Sequence, residues 1–447
     1  MSSAAVRRLD ITRYLEQLLS VWSSSVPYFE EIYRALPFGS RIMVDNLPTD
    51  LSKAKVRFLS NSGWEDTLAP LEHLSGLWEL PSESWPTAVP IGGLRHVRHL
   101  NGNVSVIRLP REHGRVHFIF KTNLSDPDTI YHELRLLLTM PPHQHVIGKP
   151  RYIVTTSRDV DLESPPPVRV LGFILEYYES GTMAAALERA PDLPLQTKLR
   201  WATQVVRAMS DVRDGPAGFY SDLNPDNLLI SPDGLDVMLI DFEQGGNWDT
   251  FLAPEVCYAG NQDGEVDRNA APSTPAQRFR GVWQSLSRER QEKAMVFAIG
   301  KLLWCMFEGV SHTRNSTDER YETETPIEFP NFAGTPHGLR GLIRQCTAGA
   351  PEWRAVGTAA VGIIRTRMEF VVARDERAEL GDGCTPREAM DAAKTLWTRR
   401  VGEMQEYMEA RCRWLADMPV AGDDLLLGFP SRPSLSQVLE SLTRVVN

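Results

Sequence analysis

The sequence predicts an α+β protein of two lobes, a small one rich in strands with one helix and a larger one that is mostly helical. Three observations lead there. Strand-like runs gather between about residues 91 and 178 and are interrupted once, at 126–140, by a helix-like stretch. Beyond Ser180 the apolar residues fall at helical spacing, apart from two short runs, Leu228–Ile230 and Val237–Ile240. The 447 residues, 42% hydrophobic and 24% charged, have ordinary globular composition and suffice for two or three domains with a sizeable core. No repeat of fixed period is visible, which excludes a solenoid or propeller.

In chain order, Asp10 is expected to cap a helix whose apolar face is Ile11, Tyr14, Leu15, Leu18, Leu19 and Trp22. Residues 23–90 read as short strands and helices broken by Pro and Gly, at Ile42–Val44, Val56–Phe58 and Leu71–Leu80, so 1–90 form an N-terminal extension. Val104–Leu109 and Arg115–Phe120 flank the turn Glu112-His113-Gly114 as a hairpin. A helix from Asp126-Pro127-Asp128 to Met140 stops at Pro141-Pro142. Strands Tyr152–Val154 and Val170–Tyr178 then close the small lobe, 91–178. Within the large lobe, 179–447, residues 256–290 are polar and rich in Gly, Arg, Asn and Ser, and read as an inserted loop. Met390, Ala393, Trp397, Val401, Met404, Met408 and Leu415 mark one face of a long helix, expected to pack on the body of the protein, with a partner-binding helix as the alternative.

Charge and cysteine usage exclude several classes. Lys+Arg number 48 against 58 Asp+Glu, a net charge of −10, and no basic block offers the positive field that nucleic acid or an anionic membrane requires. The first ten residues lack the apolar core of a signal peptide, and the longest apolar stretch, Met295–Val310, is short for a bilayer and contains Lys301. The five cysteines, at 257, 305, 346, 384 and 412, are too scattered for a disulfide framework or paired zinc ligands. A soluble, cytoplasmic protein is expected.

The segment richest in chemistry is Tyr220-Ser221-Asp222-Leu223-Asn224-Pro225-Asp226-Asn227, followed by a run ending Leu239-Ile240-Asp241-Phe242-Glu243. Two short strands with a turn between them would bring Asp222, Asn227 and Asp241 together. One carboxylate able to take a proton, with an amide oxygen and a second carboxylate beside it, meets the needs of a magnesium–nucleotide site, because Mg²⁺ takes hard oxygen ligands and few of them from protein. Asp, Asn and Pro are also ordinary turn formers, and a pair of β-turns is the plain alternative.

These segments resemble the catalytic and metal-binding loops of the eukaryotic protein kinase family. The resemblance implies that Asp222 is the catalytic base and that Asn227 and Asp241 are the metal ligands. It continues in order along the chain: Phe118-Ile119-Phe120-Lys121 is similar to the strand with the phosphate-pairing lysine, and Glu133 matches its ion-pair partner. Gly172 to Gly181 resembles the adenine-holding strand and hinge, which implies nucleotide contacts from Leu175 as gatekeeper and from Glu176 and Tyr178. Ala253-Pro254-Glu255 matches the end of the activation segment, with Arg354 or Arg432 to pair with Glu255, and Phe297–Trp304 is similar to the buried central helix. ATP and Mg²⁺ are the implied cofactors and a protein hydroxyl, serine or threonine, the implied acceptor.

The departures are specific. Leu100-Asn101-Gly102-Asn103-Val104 keeps one glycine, Gly102, where the family uses three, so fewer N–H groups can close on phosphate. Ile119 replaces a small residue over adenine, Ser221 an arginine that reads an activating phosphate, and Asn224 a lysine that steadies the transferred phosphate. Glu243 replaces a glycine and adds a carboxylate near the metal, while Met295 stands where an Asp braces the catalytic loop. Asp222 to Asn227 with Ile240–Glu243 also resembles the aminoglycoside and choline kinases, so a small-molecule kinase is one alternative and a non-catalytic scaffold the other. His143 and His145 have no third ligand nearby and read as structural, and Asp159-Val-Asp161-Leu-Glu163, without the central glycine of a calcium loop, reads as solvated.

Overall fold

In the computed structural model of the chain, the described residues are 3–36, 39–61, 63–110, 116–123, 125–156, 168–246, 250–254, 256, 274–313, 329–353, 391, 398 and 432–446. They form a mixed α+β protein. Helix α1 (Ser3–Ser25) starts seven residues before Asp10, which corrects the expected cap to an interior position. Ala4, Ala5, Arg7, Arg8 and Leu9 are good helix formers and carry the helix back past that signal. Helix α2 (Phe29–Ala35) and the antiparallel hairpin of β1 (Arg41–Val44) and β2 (Val56–Leu59) follow, gathered around Trp22, Phe29 and Phe58, whose rings lie 4.9 to 5.7 Å apart.

Helix α3 (Leu71–Trp78) leads into a six-stranded sheet. Its strands are β3 (Thr87–Pro90), β4 (Arg95–Asn101), β5 (Val104–Arg108) and β6 (Phe118–Thr122), then, after helix α4 (Pro127–Thr139), β7 (Tyr152–Thr155) and β8 (Val170–Glu176). The spatial order is β3-β7-β8-β6-β5-β4; β3 runs parallel to β7 and every other pair is antiparallel. The sheet thus draws in residues before 91. The expected hairpin exists as β5 and β6, with Ile107 opposite Phe118 and Val104 opposite Lys121.

Strand alternation divides the core. Phe118 and Phe120 join Ile107, Val154, Leu171 and Ile174 on one side of the sheet. Ile119 and Lys121 face the other way, where Phe173 and Leu175, their partners across β8, enter the larger core shared with the helices. Gly172 is required here, since a Cβ at that position would stand 2.0 Å from the Lys121 carbonyl oxygen.

The remaining elements are α5 (Met183–Arg189), α6 (Leu195–Asp214), β9 (Leu228–Ile230), β10 (Val237–Leu239), α7 (Pro275–Ser285), α8 (Arg288–Glu308), α9 (His337–Cys346) and α10 (Leu435–Val446). Every residue of α8 from Ala294 to Phe307 is buried, which explains its continuous apolar sequence. Lys301 within it is fully buried, 3.0 Å from Glu352 and 3.6 Å from the centre of the Phe329 ring. Helix α10 packs on α6 and α9.

Helix α7 corrects the expected loop over 256–290. Thr274 and Gln277 form a reciprocal capping box with Pro275 at the first helical position, and Val282 and Trp283 are buried beneath it. Polar composition masked that start signal; residues 257–273 lie outside the described residues. So do the apolar stripe from Met390 to Leu415 and the Asp159–Glu163 loop. Among the described residues, no helix is long and apolar enough to cross a membrane.

One side chain ties the N-terminal segment to the sheet and to α4. The Tyr131 hydroxyl donates to the Val170 carbonyl at 2.9 Å and accepts the Ala69 N–H at 3.0 Å. Tyr131→Phe leaves the buried Val170 carbonyl and the half-buried Ala69 N–H without this partner, at a cost of about 1–3 kcal/mol, and should lower the thermal midpoint by several degrees at unchanged helix content by circular dichroism.

Candidate functional site

The loop before β9 is organised by amides. Asn224 caps the turn Pro225–Asn227 by accepting the N–H groups of Asp226 and Asn227 at 2.9 and 3.3 Å. Its Nδ2 donates to Asp222 Oδ1 at 3.1 Å, and Asn227 Nδ2 donates to Asp222 Oδ2 at 2.8 Å. Both oxygens of Asp222 are therefore held. Asn224, expected only as a lost positive charge, is a brace for this carboxylate.

The β9–β10 hairpin returns the chain to the same end. Leu228 pairs with Leu239, and the Ile240 N–H donates to the Asn227 carbonyl at 3.1 Å, which sets Asp241 next to the Asp222–Asn227 loop. Asp241 and Gln244 both adopt left-handed backbone, with φ of 64° and 50°, a conformation that costs a non-glycine residue about 1–2 kcal/mol. Between them Phe242 is fully buried against Tyr220, and the Tyr220 hydroxyl donates to the Ile240 carbonyl. The Phe242 N–H donates to Glu133 Oε1 on α4 at 2.9 Å. Gln244 donates to the Phe219 carbonyl and accepts from His132 of α4 at 2.9 Å.

Lys121, on β6, is where these parts converge. Its Nζ lies 2.6 Å from Glu133 Oε2, 2.8 Å from Asp241 Oδ1 and 3.0 Å from Glu243 Oε1. Glu133, Asp241 and Glu243 also form a carboxylate group with metal-ligand spacing, but the ammonium lies within 3.0 Å of an oxygen of each.

The electrostatics follow from three carboxylates around one buried cation. Burial opposes the Lys121 charge, yet Asp241, Glu133 and Glu243 outweigh it and hold the ammonium well above its usual range. Burial, with Asp241 and Glu243 against the pull of Lys121, pushes Glu133 up to about 7. Burial likewise raises Glu243. Asp222 is pushed well above the carboxylate range by burial and by Asp241, against the lowering effect of Asn227 and Asn224.

A cleft of about 300 Å³ opens beside this cluster, lined by Asn123, Asp126, Asp222, Asp241, Glu243 and, across from them, Ala276. Helix α7 forms that far wall. A Cβ on Gly245 would stand 3.0 Å from the Ala276 Cβ, Gln277 Nε2 donates to Asp128 Oδ2 on α4, and Arg280 Nη1 donates to the Glu243 carbonyl at 3.1 Å. Sequence reading missed α7 as part of the site; the capping box at Thr274 was the signal that could have found it.

The carboxylates of Asp222, Asp241 and Glu243 that line the cleft are hard oxygen ligands, and among the described residues no thiol or imidazole lines it; Asn227 stands behind Asp222, to which its Nδ2 donates, and does not line the cleft. That set fits Mg²⁺. Of the residues expected to contact a nucleotide, Leu175 lies opposite Ile119, on the face of the sheet that carries Lys121. Tyr178 is half-buried against the same core. Glu176 is exposed and pairs with Arg151, and Gly102 is exposed in the β4–β5 turn. None of these four lines the cleft. Glu255 and Arg354 lie outside the described residues; Arg432 is buried and donates to the Ala348 and Lys293 carbonyls. His143 pairs with Asp211 and His145 contacts the Val237 carbonyl, both structural arrangements.

No protein-family model matches the chain, and no curated protein matches it.

The cluster has a pH signature. Glu133 holds its proton more tightly folded than unfolded, so the folded chain binds the extra proton between about pH 4.5 and 7, and the stability this group contributes falls as pH rises through that window. Removing the neighbouring charge relieves the rise. Glu243→Gln should therefore gain stability over wild type at pH 8 relative to pH 5, read from urea midpoints at constant ionic strength; an equal difference at both values would overturn this.

Proposed function

We propose that the chain is an ATP-dependent phosphotransferase of two-lobed, protein kinase-like architecture that moves the γ-phosphate of magnesium-bound ATP to a protein hydroxyl, serine or threonine. The carrying observation is convergence: Lys121 and Asp241, 120 positions apart in sequence, meet at 2.8 Å, with Glu133 of α4 at 2.6 Å from the same ammonium and Asp222 on the same cleft. Phosphoryl transfer asks for little more than such positioning and charge.

In this reading Asp222 orients the acceptor hydroxyl and takes its proton, a role that suits a carboxylate with raised proton affinity. Asn224 and Asn227 hold Asp222 in one rotamer while it does so. Asn227 and Asp241 would carry Mg²⁺, which when bound neutralises charge on the phosphates. Glu133, fixed by the Phe242 N–H, keeps Lys121 at the cleft, and Lys121 contacts phosphate. Leu175 and Ile119 offer an apolar face for adenine, with Glu176, Tyr178 and Gly102 at its margins.

A second reading, a small-molecule kinase, is favoured by α7. That helix walls a cleft of about 300 Å³ whose charged lining residues are all carboxylates, Asp126, Asp222, Asp241 and Glu243, as a small cationic hydroxyl compound would require. A non-catalytic scaffold is the outcome if nucleotide does not bind.

Thermal midpoints with Mg²⁺–ATP, with ATP plus EDTA and with neither would test the proposal. Ligand at a hundred times its dissociation constant adds about 2.7 kcal/mol, so a rise of several degrees is expected with Mg²⁺–ATP. Asp241→Asn should lose that rise. Asp222→Asn should keep it and lose phosphate transfer by at least about a hundredfold. Absence of any shift would leave a kinase-like fold used as a binding surface.

A further inference from the structure

On the premise that the cleft takes a magnesium nucleotide, we infer that Glu243 is a cation-released latch on Lys121: its carboxylate holds the ammonium while no divalent ion is present, and exchanges the ammonium for the ion when one binds.

An ammonium has three N–H donors. Lys121 Nζ has three carboxylate oxygens within ion-pair distance, from Glu133 at 2.6 Å, Asp241 at 2.8 Å and Glu243 at 3.0 Å. The Asp241 contact is a hydrogen bond and the other two are ion pairs; three oxygens already crowd Nζ, so a phosphate oxygen approaches it closely when a carboxylate leaves. Glu133 is the fixed member, fully buried, with its other oxygen accepting the Phe242 N–H at 2.9 Å. Asp241 sits in a turn whose backbone φ of 64° aims it at the cluster. Glu243 is the movable one. Its contact with Nζ is the longest of the three, and that contact is its one side-chain partner among the described residues. Arg280 anchors the Glu243 carbonyl at 3.1 Å, so the side chain can swing on a fixed backbone. It already lines the cleft with Asp241 and Asp222, the neighbours it would join around an ion.

Charge points the same way. Three carboxylates around one ammonium leave the cluster net negative, by two charges when all three are ionised, in a buried setting where Coulomb interactions are weakly screened. A bare polyphosphate is repelled from that point. Once Glu243 turns to a divalent ion, the excess is cancelled and one side of the Lys121 ammonium is open. Glu243 is thus a positioning residue, which acts through Lys121 and makes the nucleotide depend on the metal.

The test is a binding titration of N-methylanthraniloyl-ATP by fluorescence on the full chain, in Mg²⁺ and in EDTA, for wild type, Glu243→Gln, Glu243→Asp and Lys121→Met. Wild type should bind the metal-free nucleotide at least roughly a hundredfold more weakly than the magnesium form. Glu243→Gln should shrink that ratio by about tenfold or more, through tighter metal-free binding. Glu243→Asp keeps the charge on a shorter arm, should move the ratio in the same direction, and serves if Glu243→Gln does not fold. Lys121→Met should show no gain in metal-free binding. If wild type binds the magnesium form but both Glu243 variants keep the wild-type ratio, the latch is overturned and the nucleotide reading stands. Binding by none of the four proteins overturns that reading, and the latch with it.

Discussion

A buried ammonium has to be matched by carboxylates, and the folded positions of three segments follow from how Lys121 meets that demand. Taking a charge out of water costs several kcal/mol unless close partners replace the solvent. β6 delivers Lys121 to the helical side of the sheet, α4 delivers Glu133, and the turn after β10 delivers Asp241 and Glu243. None of these segments could shift by a residue without leaving a charge stranded. The left-handed backbone at Asp241 and Gln244 is sustained by this over-determination: the Phe242 N–H is bound by Glu133, and Gln244 is bound from both sides by His132 and Phe219.

Much of this cluster could be read in the chain beforehand because its members sit in locally patterned segments. Lys121 ends a run of alternating apolar residues, Glu133 lies on a helix bounded by Asp126-Pro127 and Pro141, and Asp222, Asn227 and Asp241 flank two short apolar strands. The two-residue period of β6 alone dictated that Lys121 shares a face with Ile119 and opposes the face of Phe118 and Phe120. What escaped was tertiary. Glu243 reads in sequence as an extra carboxylate near a metal, and only the approach of β6 turns it into a third partner of Lys121. Asn224 reads as the absence of a lysine, yet two amide groups bracket Asp222 because the 225–227 turn closes on it. Helix α7 hid in a polar stretch whose periodic apolar residues, Phe279, Val282, Trp283 and Leu286, were outnumbered by their neighbours.

Helix α7 also changes what the cleft can admit. It is joined to α4 through Gln277 and Asp128, and to the Asp241 loop through Arg280 and the Glu243 carbonyl. It therefore links the element that carries Glu133 to the loop that carries the other two carboxylates. Any shift of α7 is felt at both ends of the Lys121 cluster, and any opening of the cleft must break or carry these contacts. The region after Asp241 is a wall of the cleft, and any ligand has to enter beside it.

The balance of charge around the cleft gives the substitutions a common direction. Asn224 supplies no positive charge beside Asp222, and Glu243 adds a negative one beside Lys121. Each change alone weakens the attraction for phosphate. Together they leave the charged lining of the cleft entirely anionic, with the one nearby lysine neutralised by its partners. In such a site Lys121 offers a polyphosphate little net attraction while three carboxylates surround it. On the proposed reading a divalent ion would supply that attraction, with the carboxylates that otherwise repel phosphate as its oxygen ligands. On the proposed reading, the carboxylates that repel a bare nucleotide are the ligands of the ion that accompanies it, and discrimination between the two forms would arise there.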